Sequence, residues 1–167
     1  MSTNAKSEAA TRETTIEADP DLPTIRIVRD FDAPREKVFR AFIERELVAQ
    51  WLGPKSSEMR IDEWNAQTGG NYRYASVANG EEVAAFYGSF HEVRPSERLV
   101  QTFTWEGMPD GVSLETMTFE DLGDGRTRTI GLSLVDNLQA RDGIMASGMD
   151  VGVNEGYEKL DALLAEG

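Results

Sequence analysis

The last thirty residues constrain this chain most. From Asn137 to Glu166 no proline interrupts the sequence, and Met145, Met149, Val153, Tyr157, Leu160 and Leu164 recur at the spacing of one helical face. Asn137 is a residue type that caps helix starts. A long amphipathic helix ending the chain needs a broad apolar surface to cover it. Beside the stripe runs a second one, Gly148, Gly152 and Gly156, at four-residue intervals. Each glycine costs a helix about 1 kcal/mol relative to alanine. The row therefore predicts either a sheet that comes unusually close to the helix or space left for a bound molecule.

The surface that this helix needs is written upstream. Thr24 to Phe31 alternates as a strand, with Ile25, Ile27 and Phe31 against Arg26 and Asp30. Asp32-Ala33-Pro34 then starts a helix, with Asp32 or Ala33 near the cap and an apolar face of Val38, Phe39, Phe42 and Ile43. A second short helix runs from about Glu46 to Trp51 and stops at Gly53-Pro54. Six strands follow: Glu58 to Trp64, Asn71 to Ala78, Glu82 to Val93, Arg98 to Trp105, Val112 to Leu122 and Thr127 to Val135. Asn79-Gly80 and Gly123-Asp124-Gly125 mark hairpin turns between them, and the order implies an antiparallel meander. Residues 1–23 are polar and read as a flexible tail; residues 24–166 read as one domain.

Composition excludes several classes. The chain has no cysteine, which rules out disulfides and thiolate chemistry. A formal charge of −13 argues against nucleic acid, whose phosphates demand clustered Lys and Arg. No apolar run is long enough to span a bilayer, and the N-terminus has no secretory pattern, so a cytoplasmic protein without membrane insertion is expected. His91 is the single histidine, so a histidine-rich metal site is impossible; it is expected on the outer face of a strand. No Gly-x-Ser-x-Gly elbow is present, and neither Ser133 nor Ser147 has a claim to be a nucleophile. No catalytic residue, metal ligand or cofactor is implied. The strand carboxylates Asp62, Glu63, Glu82, Glu92, Glu106, Glu115 and Glu120 are expected to be solvated. Arg98 is read as a side chain fixing the turn after Pro95.

A family resemblance rests on five pieces in order. These are Phe31-Asp32-Ala33-Pro34 leading into Arg35 to Phe42; Trp51-Leu52-Gly53-Pro54; Asp62 with Gly69-Gly70-Asn71-Tyr72; Gly88-Ser89-Phe90 followed by Pro95-Ser96-Glu97-Arg98-Leu99; and Gly156-Tyr157 with Leu160 and Leu163. In these the chain resembles the START-like helix-grip superfamily, and within it the homologues of the activator of the 90-kDa heat-shock protein ATPase. The resemblance implies an α+β helix-grip fold: a curved antiparallel seven-stranded sheet around a long C-terminal helix, with two short helices after the first strand. It also implies a cavity between sheet and helix.

The expected ligand site is the aromatic and methionine set: Trp51, Met59, Tyr72, Tyr74, Phe86, Phe103, Trp105, Met117 and Phe119 from the sheet side, facing Met145, Met149 and Val153 from the helix. Such side chains suit a small hydrophobic or aromatic molecule. Two other readings stay open on the sequence: a co-chaperone-like module with a protein partner, and an enzyme of the polyketide cyclase or hydrolase kind.

Overall fold

The computed structural model describes residues 13–166. Its elements run β1 Thr15–Ala18, β2 Thr24–Phe31, α1 Arg35–Ile43, α2 Arg45–Trp51, β3 Glu58–Trp64, β4 Asn71–Ala78, β5 Glu81–Arg94, β6 Arg98–Trp105, β7 Ser113–Gly123, β8 Arg126–Leu134, α3 Leu138–Ala146 and α4 Met149–Ala165. All strand pairs are antiparallel, in the order β1-β2-β8-β7-β6-β5-β4-β3. Register shifts interrupt β3–β4, β4–β5, β5–β6 and β7–β8, and such bulges bend and twist a sheet. At the β4–β5 turn Asn79 and Gly80 both have positive φ, 53° and 79°, as a two-residue hairpin of the favoured hand requires.

The helix-grip architecture stands, with three corrections. The sheet has eight strands where seven were expected. The additional strand, Thr15–Ala18, lies inside the stretch read as a tail and pairs Ile16 with Ile27. Four residues with one branched apolar side chain carry too little local signal, and the edge of β2 supplies the partner. Residues 1–12 of that stretch lie outside the described residues.

The second correction concerns the C-terminal segment, which is two helices rather than one. Asn137 does cap the first, its side chain accepting from the Ala140 N–H at 2.8 Å. Gly148 then sits in the left-handed region at φ 85° and breaks the segment between α3 and α4. That conformation is cheap for glycine and strained for other residues. Arg141, buried on α3, donates to the carbonyl oxygens of Asp19 and Leu22 and so pins α3 over the β1–β2 connection.

The third correction concerns the glycine row. A Cβ on Gly156 would lie 3.0 Å from the Trp51 carbonyl oxygen and 3.5 Å from the Gly53 nitrogen. The close approach is therefore to the end of α2, not to the sheet or a cavity. Gly152 would meet only the Pro54 side chain, at 3.8 Å, and Gly148 meets nothing within 4 Å.

The core has two clusters. The second, Val48, Ile61, Tyr72, Tyr74 and Phe90, has Met59, Trp64, Phe86 and Phe103 packed against it. The first fills one end of the grip. Phe31, Val38, Phe39, Trp51, Leu99, Phe119, Tyr157, Leu160 and Leu164 form a continuous cluster between α1, α2, α4 and the adjoining strand ends. Edge-to-face rings lock it, Phe31 to Tyr157 at 5.3 Å and Phe39 to Phe119 at 5.2 Å. Arg29 on β2 reaches α4 and forms a two-bond pair with Asp161, at 2.8 and 2.6 Å.

Candidate functional site

Burial changes along the inward face of the sheet. At one end Phe31, Leu99 and Phe119 are buried beneath the helices, with Ile27 and Val93 partly buried beside them. Toward the other end, where β4, β6 and β8 finish and β3, β5 and β7 begin, inward residues stay accessible. Met59, Phe86, Gln101, Phe103, Glu115, Met117 and Ser133 are all only partly covered. The register places them on one face: Tyr74 opposite Phe86, Gln101 opposite Glu115, Glu115 opposite Ser133, and Phe103 opposite Ser113. Alternation of side chains in each strand carries them to the concave side together. This partly accessible stretch of the concave face is the candidate cleft.

Its walls are aromatic. Phe86 and Phe103 stack at 5.2 Å with 20° between planes, and Tyr74 packs on Phe86 at 5.4 Å. Met145 on α3 and Met149 on α4 are half-buried and belong to neither core cluster. Trp105 closes β6 at the rim, 47% exposed, with its ring folded against Gly107. A groove of about 380 Å³ borders the same end of the sheet, lined by Lys55, Ser57, Glu58, Val77, Asn79 and Gly80 among others.

Other expected ligand contacts are placed elsewhere. Trp51 lies in the core, its Nε1–H donating to the Ala41 carbonyl at 2.8 Å. Phe119 is buried beneath Phe39 and Phe42 of α1. Val153 packs against the same cluster, while Met59 borders the second cluster just as Phe86 and Phe103 do. Tyr72 is 1% exposed, and its hydroxyl donates to the Thr102 carbonyl at 2.5 Å. That bond needs the missing side chain of Gly88, whose Cβ would lie 2.7 Å from the same hydroxyl. The structure thus brings Tyr74, Phe86 and Phe103 together on the accessible part of the concave face, with Trp105 at its rim, while Met117 packs against the first core cluster and Met145 and Met149 are half-buried on α3 and α4. Trp51 and Phe119 are not on that accessible part.

The residue that pattern reading overlooked is Glu115, which was expected to be solvated. It points inward from β7, where Ser113 Oγ donates to Oε1 at 2.7 Å and Ser133 Oγ donates to Oε2. No basic side chain pairs with it among the described residues. Burial lifts its carboxyl above the ordinary range, and the two serine hydrogen bonds pull only partly the other way. Its charge is felt nearby. Burial raises the Tyr74 hydroxyl well above its usual value, and Tyr72 and Glu115 add to the rise. Tyr157 is pushed up to about 12, first by burial, with Arg29 opposing and Glu115 adding. The Tyr74 hydroxyl has no hydrogen-bond partner among the described residues and is not sealed from solvent. The signal for Glu115 was present in the alternation: Met117 and Phe119 face inward, so Glu115 two residues earlier must as well.

The remaining polar candidates are accounted for outside the cleft. His91 is exposed. Arg98 pairs with Glu92 at 3.5 Å. Asp62, Glu82 and Glu106 hold Arg60 and Arg73 in an ion-pair network on the convex face. Among the described residues no cluster of acidic or histidine side chains is arranged to hold a metal ion, and no helix is long and apolar enough to cross a membrane.

A family model described as activator of Hsp90 ATPase homolog 1-like protein matches residues 32–165. Protein CV1439 from Chromobacterium violaceum is 30% identical, with a TM-score of 0.72 over 84% of this chain and 96% of its own. Protein Ms6760 from Mycobacterium smegmatis superposes with a TM-score of 0.82 at 22% identity, covering 93% of this chain and 99% of its own. CalU16 from Micromonospora echinospora, at 21% identity, gives a TM-score of 0.61 over 92% and 75%. No functionally curated protein matches the sequence.

Proposed function

The chain belongs to the family of activator of Hsp90 ATPase homolog 1-like proteins, and on that premise we propose that it is a cytoplasmic protein that binds a small hydrophobic or aromatic molecule in the cleft between sheet and C-terminal helices. One observation carries this reading. The inward-facing rings at the open end, Phe86 and Phe103, remain partly accessible, while the rings at the closed end of the same sheet, Phe31 and Phe119, are buried. A sheet that served only as scaffold would gain by covering them, since burial of a Phe or Met side chain contributes about 1.5–3 kcal/mol. A flat aromatic ligand stacked on the Phe86–Phe103 pair covers them instead.

The cleft has the composition of a small-molecule site: mostly apolar walls with a few convergent polar groups. Titration of the isotopically labelled protein with tryptophol, a neutral flat aromatic alcohol, tests the reading. Amide and methyl shifts are expected to cluster on Phe86, Phe103, Met117, Met145 and Met149. Shifts confined to the convex face would sink it, and so would no shifts with either tryptophol or its amine isostere tryptamine at millimolar concentration.

A further inference from the structure

Glu115 makes the cleft chemically selective. Its carboxylate sits at the floor among aromatic side chains, with two serine hydroxyls and no cation. Each oxygen accepts one serine hydrogen bond and keeps a further acceptor site. A partly buried carboxylate without a counter-charge is under-solvated, and a positively charged donor placed beside it relieves that most. Nothing in the described chain supplies that donor. Arg29, the buried cation of the inward face, is already committed to Asp161. The walls suit a cation as well: Tyr74, Phe86 and Phe103 offer ring faces, which attract ammonium groups. The whole chain carries a formal charge of −13, which draws cations and repels anions before they dock.

We propose that Glu115, held by Ser113 and Ser133, is the polar anchor of this cleft, and that the molecule bound there is an arylalkyl amine, its ammonium on Glu115 and its ring on the Phe86–Phe103 stack. This rests on the cleft being a ligand site and adds which chemistry it selects. Anionic aromatic molecules are excluded by the same carboxylate. The Tyr74 hydroxyl, unpartnered beside Phe86, provides a second polar contact at the edge of the bound ring.

Calorimetric titration of the full chain at neutral pH with tryptamine, its alcohol isostere tryptophol, and indole-3-acetate decides the matter. Tryptamine is expected to bind at least about tenfold more tightly than tryptophol, the scale of a hydrogen bond to a charged group, with indole-3-acetate weakest. Glu115→Gln is expected to bring tryptamine to within about twofold of tryptophol, because the charge-assisted part of that bond is lost. Glu120→Gln, on the same strand but exposed, is expected to leave the preference intact. Equal affinity for tryptamine and tryptophol in the unmodified protein overturns the anchor while the cleft still binds, and so does a preference that survives Glu115→Gln. Failure of all three probes overturns both the anchor and the cleft. The ranking on the unmodified protein is decisive even where Glu115→Gln fails to fold.

Discussion

Two glycines on α4 differ only in what their missing side chains would touch, and the difference decides the sign of a substitution. Gly152→Ala places a Cβ in ordinary contact with Pro54 at 3.8 Å and gains helix propensity, so it is expected to stabilise by up to about 1 kcal/mol. Gly156→Ala places a Cβ 3.0 Å from the Trp51 carbonyl oxygen, against backbone that cannot rotate away. It is expected to destabilise by about 1–3 kcal/mol despite the same propensity gain. Chemical denaturation of the two variants reads both signs, and two stabilised proteins would show that α2 and α4 are not held at this distance. Gly88 is the stricter case. A Cβ there falls on the Thr102 carbonyl and displaces the Tyr72 hydroxyl, so Gly88→Ala is expected to cost about 3 kcal/mol or more. The glycines recur in the sequence as a family pattern, but their individual reasons are backbone contacts made by residues distant in the chain.

Two arginines add side-chain ties between the C-terminal segment and the rest of the fold. Arg141 fixes α3 through the carbonyls of Asp19 and Leu22, and Arg29 fixes α4 through Asp161. Arg141→Ala leaves the Asp19 carbonyl without its donor, while Leu22 keeps the Thr24 N–H, and is expected to cost about 1–3 kcal/mol. Amide exchange should then rise across α3 while α4 keeps its protection, because Gly148 separates the two helices. Matching acceleration in both helices would mean that they open as one unit. Asp161→Asn strands the Arg29 charge, which is 6% exposed, beside a partner that is 43% exposed. Its expected cost is roughly 2 kcal/mol, below that of breaking a fully buried pair, because the Asp161 side is partly solvated. The sequence showed the capped start at Asn137 and the apolar stripe of α4. It did not show the break, because Gly148 continues a regular four-residue spacing and only its positive φ marks it as a terminator.

Across the whole molecule, the unpaired carboxylate of the cleft links stability to pH. An unfolded glutamate titrates at about 4.3. Burial raises Glu115 above that value in the folded state. The stability attached to its neutral form is therefore fully present below the unfolded value and is lost as pH rises through the folded one. Asp62 and Glu106 behave oppositely. Hydrogen bonds and charge from Arg60 and Arg73 hold them low, so their contribution is present above the unfolded value and fades as pH falls through the folded one. Glu115→Gln removes only the first effect. Its urea midpoint is expected to exceed that of the unmodified protein near neutral pH and to converge with it in acid. A difference that does not change with pH would show that Glu115 titrates as a solvated group.

At that same scale the origins of the fold and of the site separate. The strand alternation, the Asn79-Gly80 turn, the two short helices and the apolar face of α4 are local features, set by side-chain period and backbone preference within a few residues. The sequence by itself determined these, and with them an antiparallel sheet closed by a C-terminal helix. The short strand Thr15–Ala18 exists because the edge of β2 is there to pair with it. Trp51 and Phe119 are core rather than cleft because α1 and α4 cover one end of the sheet and not the other. Glu115 becomes a partly buried carboxylate with no basic partner because Ser113 and Ser133 hold it on the concave face between β6 and β8. Burial and charge pairing are properties of neighbours in space, and only the tertiary structure decides which neighbours those are.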